Sequence, residues 1–196
     1  MKIYDISQEV FSCCVYPGDP APSREQISDI SKGDICNLTA FSMCAHNGTH
    51  VDAPYHFYNE GKTVDSVPLY KLVGDAYIVS YDGVITSEAA KSILEKAKLA
   101  GAEKRLLFKG KSVVSLEAAD VFAREEVYLI GNESQTVGPE EAPMDVHLKL
   151  LEKEVVLLEG IRLNDVEDGV YFLCAAPINL GGADGAPCRA ILIDFK

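Results

Sequence analysis

An α/β fold with a mixed β-sheet is predicted by the order of apolar segments along the chain. Short runs rich in apolar, β-branched and aromatic residues are typical of strands, and they lie at residues 76–81, 105–109, 127–130, 155–158, 170–176 and 190–195. Helical patterns separate these runs in the middle of the chain, whereas both ends carry strand patterns alone. Because strands that alternate with short helices favour a sheet flanked by helices, we expect one α/β domain over residues 1–196.

Three helices are expected between these strands. Thr86 and Ser115 are suitable N-caps for helices over 87–100 and 116–124, because a hydroxyl group can accept a backbone N–H of the first turn. Residues 144–153 carry apolar side chains at helical spacing. The first third of the chain is rich in Pro and Gly with β-branched runs between turn signals, which predicts irregular strands and loops.

Composition and charge favour a single globular domain and disfavour two classes of partner. The chain is 47% hydrophobic and 24% charged, which is ordinary for a single globular domain. Its net charge of −12 opposes binding to nucleic acids or anionic membranes, since both need clustered Lys and Arg. The N-terminal residues MKIYDISQEV lack the apolar run of a signal peptide, and no segment approaches about 18 apolar residues. We therefore expect a soluble, cytoplasmic protein with no nucleic-acid or membrane partner.

The stretch AHNGTHVDAPYH, residues 45–56, contains three of the four histidines of the chain. In an extended segment His46, His50, Asp52 and His56 would project to one side, because successive side chains alternate. Such a row of imidazoles and a carboxylate packs poorly but binds metal ions well. Four extended residues span about 13 Å, too far for His46 and His50 to share one ion, so the chain must bend between them. Gly48 lies at the midpoint and permits that bend.

His46, His50 and Asp52 are thus candidate ligands of a divalent metal ion. Two imidazoles and a carboxylate suit zinc, or manganese and iron(II) when further oxygen ligands join. Three protein ligands leave a position open for water, as in catalytic sites, and a bound metal lowers the pKa of that water towards about 7. His56 lies beyond these three residues and is then free to act as a general base and acid.

The fourth histidine, His147, lies on the predicted helix 144–153, and Glu159 follows the apolar run VVLL. A carboxylate at the end of a buried strand is unfavourable unless it is paired or binds a cation. From the residues alone, both a metal-binding role and an ordinary structural role stay open for these two side chains.

A family resemblance rests on the run from His46 to His56, which matches the motif H-x-G-T-H-x-D-x-P-x-H at every specified position. The chain resembles the metal-dependent cyclase-like hydrolases, a family that includes bacterial kynurenine formamidase (arylformamidase) and isatin hydrolase. Residues 16–20 (YPGDP) resemble its W-P-G-D stretch, residues 131–137 (GNESQTV) its G-x-D-T-x-S-x segment, and PINLGGADGAPCRAILI its C-terminal strands. The resemblance implies a single domain with a barrel-like core of the swivelling β/β/α type.

The metal ligands implied by the resemblance extend the set found above. His46, His50 and Asp52 would hold one ion. Asp52 would bridge to a second ion, which His147 and Glu159 complete. Two divalent metal ions are therefore expected, with zinc as the first expectation and manganese as the alternative, since these ligands accept either.

The implied reaction is hydrolysis of an amide bond by metal-activated water, with His56 as the proton shuttle. The leading substrate is N-formyl-kynurenine, which would give kynurenine and formate. An isatin-type or other cyclic amide or carbamate is the alternative substrate, and a non-catalytic metal-binding protein on the same scaffold is a further alternative. The resemblance also implies a homodimer or larger homo-oligomer.

Two departures from the family pattern matter. Tyr16, the implied substrate-binding residue, stands where many formamidases have tryptophan, and Glu133 and Thr136 stand where Asp and Ser are usual. These changes leave the metal ligands intact but alter the aromatic pocket, so the substrate is less firmly implied than the reaction class. The Gly-rich run 181–185 is interpreted as a tight turn between strands, because no Lys follows it as in a phosphate-binding loop.

Overall fold

A computed structural model describes residues 1–195, and Lys196 lies outside the described residues. The strands are β1 (Lys2–Asp5), β2 (Ser23–Ser28), β3 (Leu38–Ser42), β4 (His50–Asp52), β5 (Val73–Ser80), β6 (Gly83–Ile85), β7 (Arg105–Lys109), β8 (Ser112–Val114), β9 (Leu129–Asn132), β10 (Val156–Glu159), β11 (Gly169–Cys174), β12 (Gly185–Pro187) and β13 (Ile191–Asp194). The helices are α1 (Ser87–Leu99), α2 (Leu116–Arg124) and α3 (Met144–Glu152).

Most strands form one nine-stranded sheet in the order β1-β13-β11-β5-β7-β9-β10-β4-β12. The four strands β5, β7, β9 and β10 are parallel to one another, and every other pairing in this sheet is antiparallel. Parallel neighbours need crossover connections, and the three helices lie within the connections between these four strands. The mixed sheet curls into a half-barrel, which confirms the predicted α/β fold class.

The sheet separates two hydrophobic cores, and alternation along β7 shows how the sequence fills both. Leu106 and Phe108 pack into the core that also contains the buried faces of α1, α2 and α3. Leu107, between them, enters the second core, where it joins Val51 of β4 and Leu158 of β10. Successive side chains of a strand point to opposite faces, so the apolar run 106–108 at the centre of this strand is expected where both faces are covered.

Each predicted helix and strand run has a counterpart, with several ends shifted by a few residues. Two of these shifts have physical reasons. β5 begins at Val73, earlier than its pattern predicts, because β11 pairs with it as far as Val73 and Cys174; pairing overrides the low strand propensity of Gly74 and Asp75. β9 begins at Leu129 because Glu126 adopts a left-handed conformation, with φ 53°, in the turn after α2.

The N-terminal third contains an exposed β-hairpin formed by β2 and β3, which pair with each other outside the main sheet. Its apolar side chains face solvent, and Ile27, Leu38 and Phe41 keep 52%, 51% and 58% of their surface exposed. These side chains form an exposed apolar surface, on which Phe41 also makes an edge-to-face contact with Phe11. Among the described residues, no helix is both long and apolar enough to cross a membrane.

Candidate metal centre and active site

The strand β4 carries two of the candidate ligands at the centre of the site. His50 and Asp52 project to the same face because they are two residues apart, while Val51 between them enters the core. β10 and β12 pair with β4 on its two edges. These neighbours hold both ligands in register, and His50 and Asp52 are each only 1% exposed.

The bend expected between His46 and His50 is present at Gly48. Its φ of +65° lies in the left-handed region that glycine adopts readily, and a Cβ there would lie 2.9 Å from Cys13 Cβ. The His46 ring consequently returns to within 5.1 Å of the His50 ring, centroid to centroid. The fully extended arrangement of residues 46–56 is wrong outside β4: turns precede the strand, and Pro54–His56 form a short 3-10 helix that begins with proline.

The two distant candidates arrive from α3 and β10. His147 Nε2 lies 3.2 Å from Glu159 Oε1 and 3.7 Å from Asp52 Oδ2. Glu159 is paired with His50 across neighbouring antiparallel strands, and its Oε2 lies 3.5 Å from His50 Nε2. His147 and Glu159 are both buried, at 4% and 2% exposure. Long-range folding therefore brings together all five residues that the sequence analysis proposed as ligands.

Asp52 lies between three imidazoles. Its Oδ1 is 2.8 Å from His46 Nδ1 and 3.3 Å from His50 Nε2, while its Oδ2 faces His147. This central position is what a bridging ligand needs. The distances also place His50 beside Glu159, although the family resemblance assigns these two residues to different ions. How the ligands divide between the two ions therefore stays a prediction.

Mutual hydrogen bonds control the protonation of this cluster. Burial opposes charge on His50 and Asp52, but hydrogen bonds outweigh it. Asp52 and Glu159 raise the pKa of His50 well above its ordinary value. His46 and His50 hold the pKa of Asp52 well below its usual range. For His147, burial again opposes charge, and Glu159 overcomes it and raises the pKa to about 9. The two carboxylates thus create a buried position for positive charge.

The residues present fit a divalent metal ion. Imidazole nitrogens and carboxylate oxygens are ligands that both zinc and manganese accept. Ligand atoms about 2.0–2.1 Å from a tetrahedral zinc ion lie about 3.3 Å from one another, and the distances from His50 Nε2 to Asp52 and from His147 Nε2 to Glu159 are 3.3 Å and 3.2 Å. The donors therefore converge at metal-ligand spacing.

The ring nitrogens that face away from the carboxylates are also fixed. His50 Nδ1 donates to Gly48 O at 3.0 Å, and His147 Nδ1 donates to Pro143 O at 2.9 Å. Such bonds select the tautomer in which Nε2 carries a lone pair for a metal ion.

His56 borders the cluster from the 3-10 helix after β4. Its ring centroid lies 4.1 Å from that of His46 and its side chain is 28% exposed, more than any of the buried ligands. His46, Asp52 and His56 also lie close enough to share an ion. A ligand role and a proton-transfer role for His56 are therefore both geometrically accessible, and His56→Ala separates them.

A residue that the sequence analysis missed, Asp184, completes this side of the site. Its Oδ2 lies 2.8 Å from His46 Nε2 and 3.2 Å from His56 Nδ1. Asp184 belongs to the Gly-rich run that was correctly interpreted as a turn, just before Gly185, which pairs with Asp52 in the sheet. An acidic residue within a glycine-rich turn was the available signal, and its partners became visible only through the pairing of β12 with β4.

A cavity of about 250 Å³ opens onto the cluster, and Tyr16, Phe57, Gln135 and Thr136 contribute to its wall. A second cavity of about 350 Å³ shares Tyr16, Gln135 and Thr136 with it. Tyr16 thus lies beside the candidate ligands, and its role in substrate binding stays a prediction. Phe57 is a further aromatic wall residue that the sequence analysis did not single out.

Glu133, the acidic residue of the GNESQTV segment, has a structural role. Its two carboxylate oxygens accept backbone N–H groups of Gly110 and Leu163 at 2.7 Å and 2.8 Å. It therefore joins separate loops beside the second cavity, and both oxygens are already used.

Comparison with known proteins agrees with this geometry. The model of the Cyclase family matches residues 4–139. A kynurenine formamidase from Bacillus anthracis is 31% identical over 204 aligned positions, covering 97% of this chain and 97% of the relative. A solved structure described as a potential metal-dependent hydrolase with cyclase activity is 29% identical, with a TM-score of 0.82 over 100% of this chain and 98% of that one. Isatin hydrolase A from Labrenzia aggregata shares the fold, with a TM-score of 0.82 at 19% identity over 100% of this chain and 94% of that one.

These similarities extend over nearly the whole length of the relatives, and the relatives are hydrolases. They agree with the buried His/Asp/Glu cluster, whose donor atoms converge at metal-ligand spacing. The chain therefore belongs to the Cyclase family, and it is an enzyme, a metal-dependent amide hydrolase.

Proposed function

We propose that the protein hydrolyses N-formyl-kynurenine to kynurenine and formate. The observation that carries this proposal is the position of His56, a half-buried imidazole beside a buried cluster of candidate metal ligands. A protein that only stores or binds a metal ion has no need of such a group. The similarity to a kynurenine formamidase over nearly the whole chain supports the choice of substrate.

The proposed ligands are His46, His50, Asp52, His147 and Glu159, with Asp52 at the centre. They would hold two divalent ions, zinc first and manganese as the alternative. A bound ion supplies a Lewis acid for the amide oxygen and lowers the pKa of water. The buried carboxylates favour such positive charge, as the raised pKa of His147 shows.

The reaction adds one water molecule across the formyl C–N bond. Oxygen bonds to the formyl carbon, the C–N bond breaks, and formate and the free arylamine leave. His56 accepts a proton from the attacking water and returns it to the leaving nitrogen, so it is regenerated at the end of each turnover. Its partial exposure to the cavity allows contact with both reacting groups.

The substrate aryl ring would lie against Tyr16 and Phe57. Both aromatic side chains line the cavity that opens onto the cluster, and aromatic pairs prefer offset or edge-to-face contacts. The adjoining cavity beyond Tyr16 offers room for the amino-acid part of the substrate.

A cyclic amide of the isatin type is the alternative substrate. Tyrosine at position 16 changes the shape of the aromatic wall, and the fold shared with isatin hydrolase shows that this scaffold supports an enzyme of that name. Both substrates need the same ligands and the same proton shuttle, so only turnover distinguishes them.

We also propose that the chain forms a homodimer or larger homo-oligomer in the cytoplasm. The exposed apolar face of the β2–β3 hairpin supports assembly, because such a surface is unfavourable in water. All six cysteines are free thiols, which fits a reducing compartment. Light scattering coupled to size-exclusion chromatography at micromolar concentration would contradict the assembly if it gave the 21.3 kDa mass of one chain.

The first experiment is metal analysis of the purified protein, followed by assays of formate release with and without a chelator. Bound metal with chelator-sensitive formate release from N-formyl-kynurenine supports the proposal. Bound metal without formate release would overturn N-formyl-kynurenine as the proposed substrate. The next assays would then use isatin and other cyclic amides or carbamates. Inactivity of the metal-loaded protein on all of these would favour the non-catalytic metal-binding alternative, and a protein that binds no metal after reloading would overturn the site.

A further inference from the structure

One carboxylate oxygen holds two histidines at the edge of the site. Asp184 Oδ2 lies 2.8 Å from Nε2 of His46 and 3.2 Å from Nδ1 of His56. The two rings lie with centroids 4.1 Å apart and planes inclined by 31°. A proposed ligand and the proposed proton shuttle therefore share a single anchor.

The bond to His46 completes a pattern among the proposed ligand histidines. His50 and His147 each donate one ring N–H to a backbone carbonyl and turn the other nitrogen towards Asp52 and Glu159. His46 does the same with Asp184, since its Nε2 faces Asp184 while its Nδ1 faces Asp52. A carboxylate partner of this kind fixes the tautomer and ring orientation of a metal-binding histidine.

The bond to His56 has a different consequence. When His56 Nδ1 donates to Asp184, the Nε2 atom carries the lone pair and becomes the proton acceptor. Without that partner the ring could rotate or adopt the other tautomer, and a smaller fraction of molecules would present an acceptor to the reacting water.

The turn that carries Asp184 is held by contacts outside the metal cluster. The Asp184 carbonyl accepts the N–H of Ala53 at 2.9 Å, and the Asp65 carboxylate accepts the N–H of Gly182 at 3.0 Å. The next residue must be glycine, because a Cβ on Gly185 would lie 2.7 Å from His46 Cε1. The backbone thus places the Asp184 carboxylate independently of the two imidazoles.

We propose that Asp184 is a positioning residue that fixes the tautomer and orientation of His46 for metal binding and of His56 for proton transfer. The part of this inference that concerns proton transfer, its His56 half, rests on the proposed function. The part that concerns metal binding, its His46 half, concerns metal affinity alone. Asp184 acts through the two histidines and has no assigned contact with substrate.

The test compares Asp184→Asn with the wild type in three measurements: metal affinity by competition with a chelating dye, kcat, and KM for N-formyl-kynurenine. Loss of such a partner of a metal ligand typically weakens metal affinity or activity by about 10–100-fold. We expect a loss of that order in metal affinity and, at saturating metal, in kcat, with KM changed by less than about threefold. Asp184→Glu, which keeps the charge on a longer side chain, should recover part of both losses.

A double-mutant cycle with His56→Ala separates positioning from general damage. If Asp184 acts on the rate through His56, Asp184→Asn adds no further loss of kcat in the His56→Ala background at saturating metal. The matched control is Asp65→Asn, whose amide oxygen can still accept the Gly182 N–H. It removes a carboxylate near the same turn without touching an imidazole and should retain wild-type metal affinity and kcat.

Wild-type metal affinity and kcat in Asp184→Asn would overturn the inference, and additive losses in the double mutant would overturn its His56 half. If the wild-type protein does not release formate, the proposed function fails instead. The metal-affinity comparison still decides the His46 half in that case. Partial exposure of the Asp184 side chain, at 40%, makes the substitution compatible with folding, and a thermal melt of each variant checks it.

Discussion

Glu159, the last residue of β10, pairs directly with His50, the first residue of β4, and its Oε2 lies 3.5 Å from His50 Nε2. The register of the sheet therefore sets the spacing of two proposed ligands. A slip of one residue would turn a side chain to the opposite face, so metal binding and correct strand pairing depend on each other. The effects of changing single ligands follow from this arrangement.

Replacing Glu159 with glutamine should remove one metal ion and leave the fold intact. Glutamine retains an acceptor for the Val137 N–H that Glu159 binds at 2.8 Å, but its neutral amide is a poorer ligand than a carboxylate. Metal analysis should give one ion per chain, against two in the wild type. Glu133→Gln is the control, because that carboxylate binds backbone N–H groups outside the cluster. Unchanged metal content in Glu159→Gln would contradict its ligand role.

Replacing His56 with alanine should leave both metal ions bound and remove most of the turnover. Loss of a general acid and base typically lowers rates by about 10²–10⁴-fold. Metal content and kcat are measured on the same preparation. Near-full turnover would show that another group moves the proton, whereas loss of an ion together with activity would identify His56 as a ligand.

The metal-free protein should lose stability as the pH rises from about 6.5 to about 9. Burial lowers the pKa of His147, but Glu159 outweighs it and raises the pKa to about 9, above the ordinary 6.5. A group whose pKa is higher in the folded state stabilises that state fully when the pH is below its pKa in the unfolded state. That contribution disappears as the pH rises through its pKa in the folded state. Thermal melts in chelator across this range measure the effect, and His147→Gln should show a smaller decline. Equal declines in both proteins would contradict the assignment.

Replacing Gly160 with alanine should destabilise the protein much more than the same change at Gly101. Both residues have positive φ, at 69° and 74°, so both substitutions strain the backbone by about 1–2 kcal/mol. A Cβ on Gly101 meets no atom within 4 Å, whereas a Cβ on Gly160 would overlap Gly48 O and Gln135 Oε1. We expect about 1–3 kcal/mol of additional loss at Gly160 from overpacking. Urea denaturation of the two variants measures the difference, and equal free energies of unfolding would show that the loop can move aside.

Replacing Tyr16 with alanine should raise KM for N-formyl-kynurenine by about tenfold, since the loss of an aromatic contact of about 1.4 kcal/mol corresponds to that factor. Metal content should not change, because Tyr16 lines the cavity without joining the cluster. The matched comparison is Tyr55→Ala, a partly exposed tyrosine that does not line this cavity. An unchanged KM would place the substrate ring elsewhere.

Much of the secondary structure was predictable because it depends on neighbouring residues. Thr86 and Ser115 cap α1 and α2 as predicted, with side chains that accept N–H groups of Ala89 and Ala118. The bend at Gly48 followed from chain length and the conformational freedom of glycine. These features need no knowledge of distant segments.

Other features depend on contacts between distant segments, and sequence patterns could not supply them. Asp184 meets His46 only because β12 pairs with β4. Gln135 donates to Gly48 O at 3.1 Å, and Gln8 donates to Gly160 O at 2.7 Å, so two glutamines that no sequence pattern marked as important support the loops around the site. Their roles depend on the approach of Gly48 and Gly160, residues far apart in the sequence.

The strand β4 is inserted between β10 and β12, both of which come much later in the sequence. During synthesis the segment 45–56 is therefore exposed long before its partners leave the ribosome, for a time on the order of ten seconds at about 5–20 residues per second. Three histidines and an aspartate remain unpaired in the nascent chain during that interval. Stable metal loading must then wait until the C-terminal strands have been made, and a chain truncated before residue 184 would lack part of the site.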